Sequence, residues 1–212
     1  MKFSGLLLAL FALFLVSGCA AGQKHAYHEA LPELAASGNW TVALATSDQR
    51  PYVLSGDKEP DVVGLARGRY GIPFNVTTKS EQPLADDITH AIAASLSKKG
   101  FHVVPVIVSH RENAASVLEK LRMAKGERLV LVTLHEWKSS TYWKVGLSYD
   151  VHAQVFDGKA AQMTEHVVTG TEDLGRHGLS QSGYSRVALP IALKVILEQL
   201  FNDPKIVRAL QR

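Results

Sequence analysis

Residues 144–156 alternate with a period of two. Val145, Leu147, Tyr149, Val151, Ala153 and Val155 fall on one side, and Gly146, Ser148, Asp150, His152 and Gln154 on the other. A β-strand with one face on a core and one toward water satisfies that pattern, whereas a helix would smear both sets around its axis. A strand this long needs partners. Asp157-Gly158 supplies a turn into a second strand over 161–171, and the Leu-Val-Leu-Val stretch within 128–137 gives a buried strand ahead of it. The second half of the chain is therefore expected to hold an antiparallel meander.

Helical periods flank it. Pro83 opens a helix in which Leu84, Ile88, Ile92 and Leu96 recur every four residues. Asp86 and Asp87 suit its positive end, and Lys98-Lys99 precede a terminating Gly100. Residues 112–125 place Ala114, Val117, Leu118 and Leu121 on one face and stop at Gly126. Between these helices, residues 101–108 form an apolar run broken by Pro105, expected as a strand buried on both faces but bent or near an edge. Residues 40–45 read as the first strand. Residues 48–73 are rich in Gly, Pro, Asp and Arg, with short extended pieces at 52–54 and 62–66 and a turn at Ser55-Gly56-Asp57. After an irregular segment at 174–182, residues 183–201 are apolar nearly all round despite Pro190, which predicts a buried helix on the sheet. Asp203-Pro204 then caps a short last helix. No repeat is present. The fold class is α/β (α+β): a single α/β sandwich with a mixed sheet, the C-terminal antiparallel meander, and helices packed on it.

The N-terminus addresses the chain to an envelope. Met1-Lys2 is a minimal basic start, residues 6–16 are an uninterrupted apolar run, and small residues follow at once. That run is about half of the ~20 residues a membrane-spanning helix needs, so a signal peptide is the better reading. Val16-Ser17-Gly18-Cys19 looks like a bacterial lipobox, which implies cleavage between Gly18 and Cys19 and a diacylglycerol on the cysteine thiol, with palmitate-type acylation completing the anchor. Cys19 is the single cysteine, so the rest of the chain can form no internal disulfide. The expected organisation is a signal peptide over 1–18, a lipidated tether over 19–37 reaching at most ~60 Å, and a periplasmic domain over 38–212. Ala20 follows the cysteine in place of the aspartate of the enterobacterial inner-membrane retention rule, which implies the outer membrane.

Composition excludes little but is clear on one class. The formal net charge is +3, one unit of it from Lys2, with no block of like charge, so nucleic-acid binding has no support. Catalytic signatures are weak as well. Gly178-Leu179-Ser180-Gln181-Ser182 approaches a nucleophile elbow but ends in Ser, and no buried strand leads into it. His135, His152 and His166 fall on successive strands, with His152 on the wetter face. His25 and His28 pair in the tether. A cross-strand cluster of the three strand histidines is geometrically possible, but no carboxylate spacing specifies a metal, and histidines scattered on strands are more often exposed or hydrogen-bonded. The tether pair lacks the converging ligands a site requires, so no metal, cofactor or catalytic residue is expected. Glu136-Trp137 and Tyr142-Trp143 concentrate aromatics near a hairpin end, read first as core and rim packing and second as a sticky surface. Arg50, Arg67 and Arg69 stand in the Gly-rich segment with planar donors suited to carboxylate or phosphate, and are the candidates for binding a partner or an anion. The competing reading is a loop whose arginines pair with Asp48, Asp57 or Asp61.

Taken together, the lipobox at Cys19, the Asp48-x-Arg50 turn, the Gly64-x-x-Arg67 element and the helix from Pro83 to Gly100 leading into residues 101–108 resemble YajG-type lipoproteins. The resemblance covers about the first half of the mature chain and implies an envelope lipoprotein without catalytic residues. The order of elements is more distantly similar to the TolB N-terminal domain and to the penicillin-binding-protein activator LpoB, which by analogy implies protein docking. The expected function is a non-enzymatic interaction module, held to the membrane through lipid on Cys19, with an envelope protein as partner. The alternative is an auxiliary binding protein for an envelope lipid, glycan or other anionic ligand.

Overall fold

A long central strand organises the sheet. The computed structural model describes residues 22–68, 70–175 and 181–211, and among these it forms eight strands and five α-helices. The meander consists of β6 (Arg128–Thr141), β7 (Val145–Asp157) and β8 (Gln162–Gly175), paired antiparallel along nearly their whole length. Two strands share the other edge of β6 in tandem. β2 (Thr41–Asp48) runs parallel to its first half, from Val42 opposite Arg128 to Asp48 opposite Leu134. β3 (Val62–Arg67) runs parallel to its second half, from Gly64 opposite Ser139 to Ala66 opposite Thr141. Each carries its own flank. β5 (His102–Pro105) lies parallel outside β2, while β4 (Pro73–Thr78) is antiparallel to β3 and β1 (Lys24–His25) lies parallel outside β4. Glycine is required where β3 meets β6, because a Cβ on Gly64 would sit 2.0 Å from Ser139 Oγ.

Side chains then sort into two cores. On one face the main core joins Val42, Leu44, Val130, Val132, Leu134 and the odd-numbered apolar side of β7 to three helices: α2 (Leu84–Lys98), α4 (Gln181–Phe201) and α5 (Pro204–Gln211). On the opposite face α3 (Ala114–Met123) covers only Ala43, Ala45, Leu129, Leu131 and Phe156. The sandwich has three layers at the start of β2 and β6 and two layers beyond, so half of one sheet face stays uncovered. The helices begin as their caps dictate. Asn113 accepts from the Ser116 amide at 2.9 Å, and Asp203 from the Lys205 amide at 2.8 Å.

Several expectations need correction. Residues 52–54 are not extended: Pro51 at the first helical position makes α1 (Pro51–Leu54) a single turn. The strand within 101–108 is short and mostly exposed, an edge rather than a doubly buried strand, and Pro105 is tolerated there. β4 is a strand that no periodicity in the sequence announces. The largest difference is the tether. Lys24 and His25 pair with Thr77 and Thr78, Tyr27 is completely buried, and Ala30, Leu34 and Ala36 join the main core. Residues 24–37 are part of the domain, because their scattered apolar side chains drop one by one into gaps between α2 and α4 without any period of their own.

Candidate functional site

Among the candidate arginines, Arg50 is internal. Its side chain is fully buried. Nε and Nη2 donate to the two oxygens of Asp48 at 2.9 and 2.7 Å, Nη1 donates to Val62 O at 2.7 Å, and Nη2 also donates to Pro60 O at 2.8 Å. The guanidinium therefore clamps the end of β2 to the entrance of β3 and has no face left for a ligand, which removes it from the anion-binding set. Arg67 ends β3 and is exposed. Arg69 lies outside the described residues, as do Gly18, Cys19 and Ser180.

The uncovered half-face of the sheet is polar. A bulge after Leu134 lets Trp137 return to the core while His135 and Glu136 remain with the residues facing water. The His135 and His152 rings stand 4.5 Å apart. His152 Nε2 lies 2.9 Å from Asp150 Oδ1, and its Nδ1 lies 3.6 Å from Glu165 Oε1. Burial raises the Glu136 carboxyl above the usual range. His166 does not join them: it pairs in register with Ala153 on the helix side, 3.6 Å from Asp203. Among the described residues no three His, Cys, Asp or Glu side chains are arranged to hold a metal ion. The face offers hydrogen-bonding side chains.

The N-terminal segment brings its own titratable group inside. His25 is fully buried, its Nδ1 3.4 Å from Tyr27 Oη, and its Nε2 has no hydrogen-bond partner among the described residues. Tyr27 in turn receives the Trp137 indole N–H at 3.0 Å with the rings edge to face. Burial first, and the Arg186 charge second, hold His25 down from 6.5 to about 4. The folded state thus keeps the neutral ring while the unfolded chain takes up a proton below 6.5. Stability is complete above pH 6.5 and declines as pH falls toward 4, by about 3 kcal/mol in all. Urea midpoints between pH 4 and 7 are expected to show this slope in the native protein and to lose it in His25→Phe.

One end of the sheet collects exposed apolar side chains. The β3–β4 hairpin turns there, with Gly68 donating to Ile72 O at 3.0 Å and Gly71 at φ +77°. Because Ala66 lies opposite Thr141, the β6–β7 turn projects at the same end. Tyr70 is 88% exposed, Ile72 57% and Trp143 70%, with Phe74 half-exposed beside them. The packing reading holds for Trp137, which is a core residue, and for half-buried Tyr142, and fails for Trp143, which stands in solvent. The first described residues point the same way. β1 runs parallel to β4, so Gln23 and Gly22 lead back toward the β3–β4 turn. Thr77 donates to Gln23 O at 3.0 Å, and Gly22 packs against Asn75.

A second apolar surface lies along α4. Leu189, Leu193, Ile196, Leu197 and Leu200 are buried, while Val187, Ile191 and Val195 form an exposed stripe at a spacing of four. The expectation of an all-round buried helix fails on this face. Its signal was present as a second, β-branched period opposite the leucine one. α4 is the longest helix described, and none is long and apolar enough to cross a membrane.

No family model matches the chain, and no curated protein matches it significantly. Solved structures do. The chain is similar to protein XCC0632 from Xanthomonas campestris, of the DUF330 family model, at 12% identity over 84% of this chain and 91% of that one, with a TM-score of 0.51. Lipoprotein GNA1162 from Neisseria meningitidis matches at 11% identity over 77% and 99% of the two chains, TM-score 0.32. The LpoB C-terminal domain from Salmonella enterica matches at 6% identity over 65% and 87%, TM-score 0.32. The first of these shows a shared fold.

Proposed function

We propose that the chain is a lipid-anchored protein of the bacterial envelope, held through Cys19 at the periplasmic face of the outer membrane, whose domain docks another envelope protein without catalysing a reaction. The observation that carries the docking role is the α4 stripe. Val187, Ile191 and Val195 leave a stripe of apolar surface in water, and a partner's apolar surface would recover that solvation cost. The signal peptide, the lipobox and the resemblance to YajG-type lipoproteins support the anchoring. The alternative ligand-binding reading is weaker, since Arg50 is engaged by Asp48 and Arg67 is the one candidate arginine described at the surface.

A photo-crosslinking residue at Ile191 in intact cells tests this, with one at exposed Lys159 as control. The expected result is a discrete adduct with one envelope protein that disappears when Val187 and Val195 are both replaced by Asp. Equal labelling from both positions would sink the docking role. An adduct of twice the chain mass would make the stripe a self-association surface and overturn the reading as stated.

A further inference from the structure

We propose that the end of the domain formed by the β3–β4 and β6–β7 turns is a membrane-seating surface, and that Tyr70, Ile72, Phe74 and Trp143 rest in the interfacial layer of the membrane that holds Cys19. The inference rests on the anchoring reading above but uses different observations from the α4 stripe.

Topology supplies the first of them. β4, β3 and β6 are consecutive neighbours, so with strands ~4.8 Å apart the two turns stand side by side as one surface. Composition supplies the second. Trp143, Tyr70 and Ile72 exposed on the hairpin tips, with the partly exposed Phe74 at the start of β4, match the aromatic residues that sit at headgroup level, where an apolar ring body is buried and its polar edge stays hydrated. Arg67 is exposed beside them and Lys144 is paired with Asp173 at 2.7 Å, so among the described residues the surface is mainly apolar.

Chain length decides the occupant. Gly22 packs on β4 next to Asn75, and three peptide links separate it from Cys19. At ~3.3–3.6 Å per residue the lipidated cysteine lies within ~11 Å of Gly22. No other protein of ordinary thickness fits between the domain and a bilayer at that distance. With residues 24–37 folded into the domain, the anchor cannot hold the molecule away from the lipid, and the end nearest the anchor is the one with the exposed aromatics. The acyl chains fix the position and the four side chains fix the orientation, leaving the α4 stripe to run outward from the membrane.

The full chain, purified from membranes and reconstituted in phosphatidylethanolamine and phosphatidylglycerol vesicles with brominated acyl chains, provides the test. Trp143 is isolated by difference from Trp143→Phe, since Trp40 and Trp137 are common to both proteins. Expected are bromine quenching of the Trp143 emission and loss of its iodide quenching, both unchanged by added salt. Replacing Tyr70 and Ile72 together by Ser should restore iodide access. Acylated protein whose Trp143 remains open to iodide and unquenched by bromine overturns the seating alone. Trp143 shielded from iodide without bromine quenching assigns the surface to a protein contact and also overturns it. A mass spectrum with no acyl group on Cys19 overturns the anchoring reading and the seating together.

Discussion

Arg50→Ala is expected to destabilise the domain by about 3–5 kcal/mol, enough to remove much of the stability of a typical domain. The change leaves the Asp48 carboxylate, which is 3% exposed, without its counter-charge and takes the guanidinium donor from Val62 O, while Pro60 O keeps the Leu84 amide as a donor at 3.2 Å. Arg50→Lys should recover little, because an ammonium cannot span two carboxylate oxygens and two carbonyls from one plane. The informative companion is the double replacement Asp48→Leu/Arg50→Met. Removing both charges avoids the buried unpaired ion, so the double variant is expected to be more stable than Arg50→Ala despite losing more polar contacts. Arg67→Ala, at an exposed strand end, should fall within about 0.5 kcal/mol of the native protein. Urea unfolding followed by far-ultraviolet circular dichroism measures all four. A neutral Arg50→Ala would mean that the arginine is not the clamp described and would return it to the set of candidate ligand-binding residues.

Removing residues 22–37 is expected to abolish cooperative folding. Tyr27 and Leu34 are both essentially inaccessible, and their loss empties space between α2, α4 and the sheet. Core truncations of these two types cost about 3–5 and 2–5 kcal/mol, against about 5–15 kcal/mol for a whole domain. Fixed hydrogen bonds go with them: the Ala35 amide to Asn202 Oδ1 at 2.7 Å, Asn202 Nδ2 to Glu33 O at 2.9 Å, and the Glu33 amide to Glu198 Oε1 at 2.8 Å. These tie the N-terminal segment to the end of α4 and the start of α5. A true tether could be deleted without effect on the urea midpoint. An unchanged midpoint in the truncated chain would show that the segment only rests on the surface, and it would lengthen the effective leash to the membrane.

These two outcomes matter together for the functional reading. If Cys19 carries the proposed lipid, a domain that begins within a few residues of it has little freedom to search for a partner at a distance, and what it meets is set by how it sits on the membrane. Two surfaces then differ in role. On the proposed anchoring the hairpin turns face the membrane, and α4 presents Val187, Ile191 and Val195 along a helix that starts near β1, where Ser185 Oγ donates to Gln23 Oε1 at 3.0 Å. The polar half-face with His135, His152 and Glu136 belongs to neither and is left open by the short reach of α3.

The elements that could be read directly from sequence are those whose signal is complete within about a dozen residues. The period of two over 144–156 appears as β7, with its six apolar residues buried and the even positions facing the open side. The repeat of Leu84, Ile88, Ile92 and Leu96 appears as α2, and Asp203-Pro204 as the start of α5. Each is local: dihedral preference, side-chain period and capping all reside in the same short stretch. The meander and the mixed sheet follow from them.

Tertiary structure alone decided the remainder, because the deciding partner lies far away in the chain. Arg50 and Arg67 occupy the same kind of segment; the Asp48 pairing weighed from the sequence holds for Arg50 alone, and its burial is completed by the carbonyls of Pro60 and Val62 on the far side of the α1 turn. The parity of β6 changes at a bulge, which sends Trp137 into the core and leaves Glu136 outside against the alternation that Leu134 begins. Residues 24–37 have no period, and Tyr27 is buried because Trp137, more than a hundred residues later, offers it an indole N–H. The sequence by itself determined the strongly periodic elements. Which charges are buried, where the domain begins and which apolar side chains stay in water were decided by packing, since burial depends on what covers a residue and the cover comes from elsewhere in the chain.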